Sequence, residues 1–137
     1  MLIGHYNHTL DQKGRVSVPA KYRDEMGANF VVSKGYGNCV CGYPLDKWDA
    51  WRESVEKLPV SKSRVKRFFL GSAFEVEVDK QGRIILPADL REFAGLETEV
   101  VVAGMSDHIE IWSRDRWLDE ERRDDEDIEE LLGSIEI

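Results

Sequence analysis

Apolar and acidic residues alternate through Ala73-Phe74-Glu75-Val76-Glu77-Val78, the two-residue period of a half-buried strand. His5 to Leu10 holds the corresponding place near the start of the chain and predicts an opening strand. Aliphatic runs at Arg15–Val18, Asn29–Lys34, Arg83–Leu86 and Glu99–Ala103 read as further strands. The turn residues Gly35-Tyr36-Gly37-Asn38 and Gly104-Met105-Ser106-Asp107 then predict antiparallel partners at Cys39–Tyr43 and His108–Trp112. Elsewhere the period lengthens. Trp48, Trp51, Val55 and Leu58 form one apolar stripe of a helix from Leu45 to Leu58, stopped by Pro59. Ser61 to Gly71 predicts an extra helix, capped by Ser61 or Ser63 and ended by Gly71. Val65, Phe68 and Phe69 give it an apolar edge, and its bases line the other side. Ser113 is placed to cap a last helix, which the acidic run Asp124–Glu130 either extends or lets fray.

These elements occur twice. Asp11-Gln12-Lys13-Gly14-Arg15-Val16-Ser17-Val18-Pro19-Ala20-Lys21-Tyr22-Arg23 is echoed, 68 residues on, by Asp79-Lys80-Gln81-Gly82-Arg83-Ile84-Ile85-Leu86-Pro87-Ala88-Asp89-Leu90-Arg91. Gly27 and Gly95 extend the match, and past one inserted residue Trp48 and Trp117 correspond at an offset of 69. Such in-register agreement is an internal duplication. Each unit reads as strand, Asp-x-x-Gly turn, strand, and a short helix (Ala20–Met26 or Ala88–Ala94) that proline starts and glycine ends. The sequence predicts each turn as a hairpin-type connection between the strands beside it.

The turns carry the candidate chemistry. The Asp11 and Asp79 carboxylates can cap nearby amides, and Gly14 and Gly82 accept a positive φ. Arg15 and Arg83 then stand at the mouths of matching turns and reach outward, where a planar guanidinium suits phosphate or a guanine edge. Lys13 and Lys80 flank the turns as phosphate contacts. Arg23 and Arg91 are expected to pair with Asp24, Glu25, Asp89 or Glu92 nearby.

Charge changes the picture only through its distribution. The net charge is −8, yet residues 115–137 carry eleven acids and three bases, so the remaining 114 residues sum to zero. Lys57 to Arg67 holds five bases and no acid. A neutral body with basic features can bind a polyanion, while the acidic tail disfavours unspecific contact. No apolar run approaches membrane-spanning length and the N-terminus does not resemble a secretion signal, so the expected compartment is the cytoplasm. Cys39 and Cys41, one residue apart, read as reduced, half-buried thiols. With His5 and His8 they invite a metal reading, but the spacing is not that of a zinc site and the second repeat offers no equivalent set, so no metal is expected. No nucleophile–base pair or phosphate-cradling loop is present, and neither an enzyme, a cofactor nor a small-molecule substrate is expected.

The doubled Asp-x-x-Gly-Arg…Pro-Ala-x-x-Arg unit, with Tyr43/Trp48 and Trp112/Trp117 behind it, resembles the MraZ family of bacterial transcriptional regulators. The resemblance runs from about Leu2 to about Trp117. It implies an α+β, mainly β fold: two swapped-hairpin subdomains of the AbrB type, packed with pseudo-twofold symmetry beside short helices. It places the family's Asp-x-x-x-Arg signature on Asp11 and Arg15 and on Asp79 and Arg83. It further implies a nucleoid-associated protein that assembles into rings and binds double-stranded DNA. The expected targets are short direct repeats in the promoter of the division and cell-wall gene cluster. The expected units are a first repeat with its closing helix (1–58), a basic connector (59–72), a second repeat (73–118) and an acidic tail (119–137). A protein-interaction module of the antitoxin type is the other reading, less suited to two repeats and a short tail.

Overall fold

A computed structural model describes residues 1–136, excepting the side chains of residues 124–126; the rest of the predicted tail, Ile137, lies outside the described residues. The first repeat supplies β1 (His5–Thr9), β2 (Arg15–Ser17), α1 (Arg23–Met26), β3 (Asn29–Gly35), β4 (Cys39–Pro44) and α2 (Leu45–Glu56). The connector forms α3 (Ser63–Phe69). The second repeat gives β5 (Phe74–Glu77), β6 (Arg83–Ile85), α4 (Ala88–Phe93), β7 (Glu99–Gly104), β8 (Ile109–Ser113) and α5 (Arg114–Leu132).

The predicted hairpins β3–β4 and β7–β8 form as expected, each across its short turn. The Asp-x-x-Gly hairpins do not. Beyond the first turn the flanking strands meet only at an isolated Leu10–Val16 bridge, and then they part. β1 crosses to β7, β5 crosses to β3, and β2 pairs with β6. The result is a six-stranded antiparallel sheet, β1-β7-β8-β4-β3-β5, and a two-stranded ribbon, β2-β6. Exchanging the repeats leaves this strand order unchanged. The exchange has a packing cause: a strand folded back on its own neighbour would leave Val16 and Ile84 in separate small cores, whereas the shared ribbon drives both into one.

That core lies between ribbon and sheet. Phe30, Val32, Val40, Val100, Val102, Ile109 and Ile111 point down from the sheet onto Val16, Val18, Ile84 and Leu86, with Tyr22, Met26 and Leu90 filling the sides. The Tyr22 hydroxyl donates to the Ile3 carbonyl at 2.6 Å, which ties the N-terminus over this core. On the opposite sheet face a second cluster joins Cys39, Cys41, Tyr43 and Trp112 to Trp48, Trp51 and Trp117 from α2 and α5. The cysteines are therefore buried, not half-buried, because tryptophans roof the face they occupy; both are free thiols.

Two helix starts contrast. Ser113 caps α5 as expected, its Oγ accepting from the Arg116 amide at 3.2 Å, and the acidic run extends the helix. No serine side chain caps the connector helix. A 3₁₀ turn from Val60 precedes it, and the Pro59 carbonyl takes the Lys62 amide (2.8 Å), so Ser63 donates instead to the Val60 carbonyl. Val65 is exposed, so the apolar edge of this helix is Phe68 and Phe69, packed against Phe93 and Trp51.

Candidate nucleic-acid interface

One carboxylate builds each turn. Asp11 Oδ1 accepts the Lys13 amide (3.0 Å) and the Arg15 amide (2.9 Å), while Oδ2 accepts Arg15 Nε (2.6 Å). Asp79 repeats the pattern with the Gln81 amide (2.9 Å), the Arg83 amide (2.8 Å) and Arg83 Nε (3.2 Å). Gly14 and Gly82 take φ values of 81° and 78°, where a side chain would be strained. The Arg15 amide bond above all holds the Asp11 carboxyl below its ordinary range; it outweighs an opposing effect of burial, and the guanidinium and the Lys13 amide add to it. Asp79 is lowered in the same way, first by the Arg83 amide. Both aspartates are thus kept as anions, and each arginine is fixed to its turn through Nε with part of its side chain exposed.

The two turns differ in one respect. Gln81 Oε1 accepts Arg83 Nη2 at 2.7 Å, whereas the matching position of the first turn is Lys13, which cannot accept. Among the described residues the Arg15 terminal nitrogens make no hydrogen bond, so Arg15 is the less tethered of the pair.

The ribbon brings the turns together. Arg15 lies opposite Ile85, Val16 opposite Ile84, and Ser17 opposite Arg83. Val16 and Ile84 face the core, so Arg15, Ser17, Arg83 and Ile85 share the outer face. Pleat geometry sets Arg15 and Arg83 as diagonal neighbours, roughly 7–8 Å apart at their origins. Each turn also receives a strand from the other repeat: the Val18 amide donates to Gly82 O and the Leu86 amide to Gly14 O, both at 2.8 Å. Lys13 and Lys80 are exposed at opposite ends.

Arg23 and Arg91 correct the sequence reading. Neither makes an ion pair with Asp24, Glu25, Asp89 or Glu92 among the described residues; those acids stay exposed, and Glu25 meets the N-terminal amine of Met1. Arg23 Nε donates to the Val18 carbonyl (2.9 Å) and Arg91 Nε to the Leu86 carbonyl (3.1 Å), groups just past the strand ends with no other hydrogen bond among the described residues. Each guanidinium then lies against the other repeat's turn. A Cβ on Gly82 would stand 2.4 Å from Arg23 Cζ, and one on Gly14 2.9 Å from Arg91 Cζ. The recurrence of both arginines at one offset was the available signal for this role. The exposed Ile85 beside the arginines had no signal in the sequence beyond its place in the strand.

Fold and surface define a duplicated, strand-exchanged β protein whose exposed ribbon carries two carboxylate-ordered arginines. The family described as "MraZ protein, putative antitoxin-like" matches the chain twice, over residues 1–68 and 69–131. The chain is 42% identical to the "Transcriptional regulator MraZ" of Caldicellulosiruptor bescii and 46% identical to that of Caldanaerobacter subterraneus subsp. tengcongensis. Each match covers 99% of this chain and 97% of the relative. The chain belongs to the MraZ family, a family of transcriptional regulators and not of enzymes. The solution structure of PHS018 from Pyrococcus horikoshii aligns at 16% identity over 81% of this chain and 88% of that one. Its TM-score of 0.35 is too low to bear on the fold.

Proposed function

We propose that the chain is a sequence-specific DNA-binding regulator of the AbrB swapped-hairpin type. Its targets are short direct repeats in the promoter of its own division and cell-wall gene cluster. The observation that carries this reading is the placement of Arg15 and Arg83 on one outward face of a two-stranded ribbon. A ribbon of that size enters the DNA major groove, about 12 Å wide, and arginine reads guanine there through O6 and N7. Ile85 lies beside them to meet a thymine methyl, and Lys13 and Lys80 contact phosphates on either side. The Asp11/Gly14 and Asp79/Gly82 turns hold these groups in place before DNA arrives, which lowers the ordering cost of binding. The two repeats (1–58 and 73–118) share this surface, and the acidic arm (119–137) restrains unspecific contact.

The test is fluorescence anisotropy with promoter DNA and random duplex across several salt concentrations. Affinity should favour the promoter and fall with salt, by about 0.9 in log–log slope for each phosphate contacted. Equal affinity for both duplexes would overturn sequence specificity, and no binding at low salt would overturn the DNA reading itself.

One ribbon is a small contact, so a ring of copies facing successive repeats multiplies effective concentration. Light scattering should give a homo-oligomer larger than a dimer at micromolar concentration. A monomer that still binds the promoter tightly would remove the ring from the proposal.

A further inference from the structure

The central strands β4 and β8 meet at the axis relating the repeats, and on the face away from the ribbon they carry residues that DNA recognition does not use. Cys39 and Cys41 stand there on β4. The residues 69 positions further on are His108 and Glu110. The second repeat therefore does offer an equivalent set, in residue types that a search for repeated cysteines passes over. Cys41 lies directly opposite Glu110 across the ladder. Both sulfurs and a Glu110 carboxylate oxygen lie within 4.8 Å of one another. His108 Nε2 stands just outside this trio, 3.9 Å from Glu110 Oε2. His5, by contrast, is on β1 with two strands intervening and packs at a tilt against Trp117.

The surroundings hold His108 and Glu110 in place beside the two sulfurs. Asp107 Oδ1 is 2.6 Å from His108 Nδ1; with Nδ1 as the donor, Nε2 is left as a ligand, the usual outer arrangement of a metal-bound histidine. Trp112 Nε1 donates to Glu110 Oε1 at 3.0 Å and fixes the carboxylate with Oε2 turned to His108. The Tyr43 ring stacks on the imidazole at 4.9 Å. Gly35, paired with Cys39, makes room for the sulfurs, since a Cβ there would lie 2.5 Å from one and 2.8 Å from the other. The Glu110 side chain is only 16% exposed, and no lysine or arginine pairs with it among the described residues. Its one charge partner among the described residues is the His108 imidazole.

We propose that Cys39, Cys41, His108 and Glu110 bind one zinc-type divalent ion, which staples the two repeats together at their shared axis. Two thiolates and an imidazole select such an ion over magnesium or calcium, and the fourth, oxygen ligand closes a tetrahedral set. This inference does not depend on the DNA reading.

The experiment titrates the reduced, chelator-treated full chain with cobalt(II), then with zinc. One equivalent of cobalt should produce a thiolate charge-transfer band and the intense visible bands of a tetrahedral site, and zinc should bleach both. Zinc should also raise the Tm of the wild type. The double variant Cys39→Ser/Cys41→Ser should lose the charge-transfer band. Should that variant fail to fold, Glu110→Gln and His108→Ala decide the matter: with unchanged far-UV dichroism, each should weaken cobalt binding by about tenfold or more. A wild type without a charge-transfer band would overturn the site. So would a band that survives loss of both cysteines, or unchanged affinity in both Glu110→Gln and His108→Ala.

Discussion

Residues 1–68 expressed alone should not yield a folded monomer. Every strand of the first repeat takes a partner from the second: β1 from β7, β2 from β6, β3 from β5 and β4 from β8. Only the β3–β4 hairpin is wholly internal, and an isolated hairpin is at best marginal in water. The core is divided in the same way, with Phe30 and Tyr22 packed in one cluster with Leu86, Leu90 and Ile109. Removing the second half exposes that apolar surface and opens four strand edges. Because the repeats are alike in pattern, two fragments can exchange strands with each other as the two halves do. Light scattering with urea-monitored circular dichroism should therefore find an unfolded chain or a self-associated one. The full chain should unfold in one cooperative transition. A soluble fragment monomer with its own cooperative transition would contradict the exchanged topology.

How much of this was legible in the sequence depends on how local each feature is. The hairpins β3–β4 and β7–β8 were readable because a short turn between two runs fixes both partners at once. The partners of β1 and β5 were not. Alternation in Ala73–Val78 says that one face is buried but not which strand covers it, and a strand that leaves its own turn for the other repeat has the same pattern as one that folds back. The Asp-x-x-Gly turns were legible down to their acceptors, since amide, carboxylate and glycine all lie within five residues. Arg23 was misread for the opposite reason: acids adjacent in sequence were exposed, while its partners, the Val18 carbonyl and the Gly82 turn, come together only once the ribbon forms. Burial of Cys39 and Cys41 likewise depends on tryptophans of two helices arriving over one sheet face.

The crossing of Arg23 and Arg91 has a consequence for the arginines at the surface. Each turn is held by its own aspartate, by a strand amide from the other repeat, and by the other repeat's guanidinium. The outer arginines are thus mounted on a support to which both halves contribute, and a change in one half reaches the other's turn through contact at Gly14 or Gly82.

Arg15→Ala should separate recognition from folding. Its backbone amide continues to donate to Asp11, as does that of Lys13, so the turn keeps two of its three carboxylate bonds and Tm should move little. What leaves is the guanidinium. If Arg15 reads a base, the loss should be on the order of 1–3 kcal/mol per contact, roughly tenfold in affinity for each 1.4 kcal/mol, and it should multiply over the copies on one operator. Preference for promoter over random DNA should fall with it. If the arginine met phosphate only, both duplexes would weaken alike and the salt slope would flatten by about one contact per copy. Arg83→Ala provides the internal comparison. Gln81 already holds one terminal nitrogen of Arg83, so some of its donor capacity is spent inside the turn, and its loss should reduce specificity less than that of Arg15. Lys13→Ala should lower the salt slope without changing the promoter preference, and Asp11→Ala should weaken binding together with Tm, because it removes all three carboxylate bonds of the turn. The deciding pair of measurements is the operator affinity of Arg15→Ala and its Tm. Unchanged affinity would remove Arg15 from the interface, and a large fall in Tm would make it a structural partner of Asp11 instead.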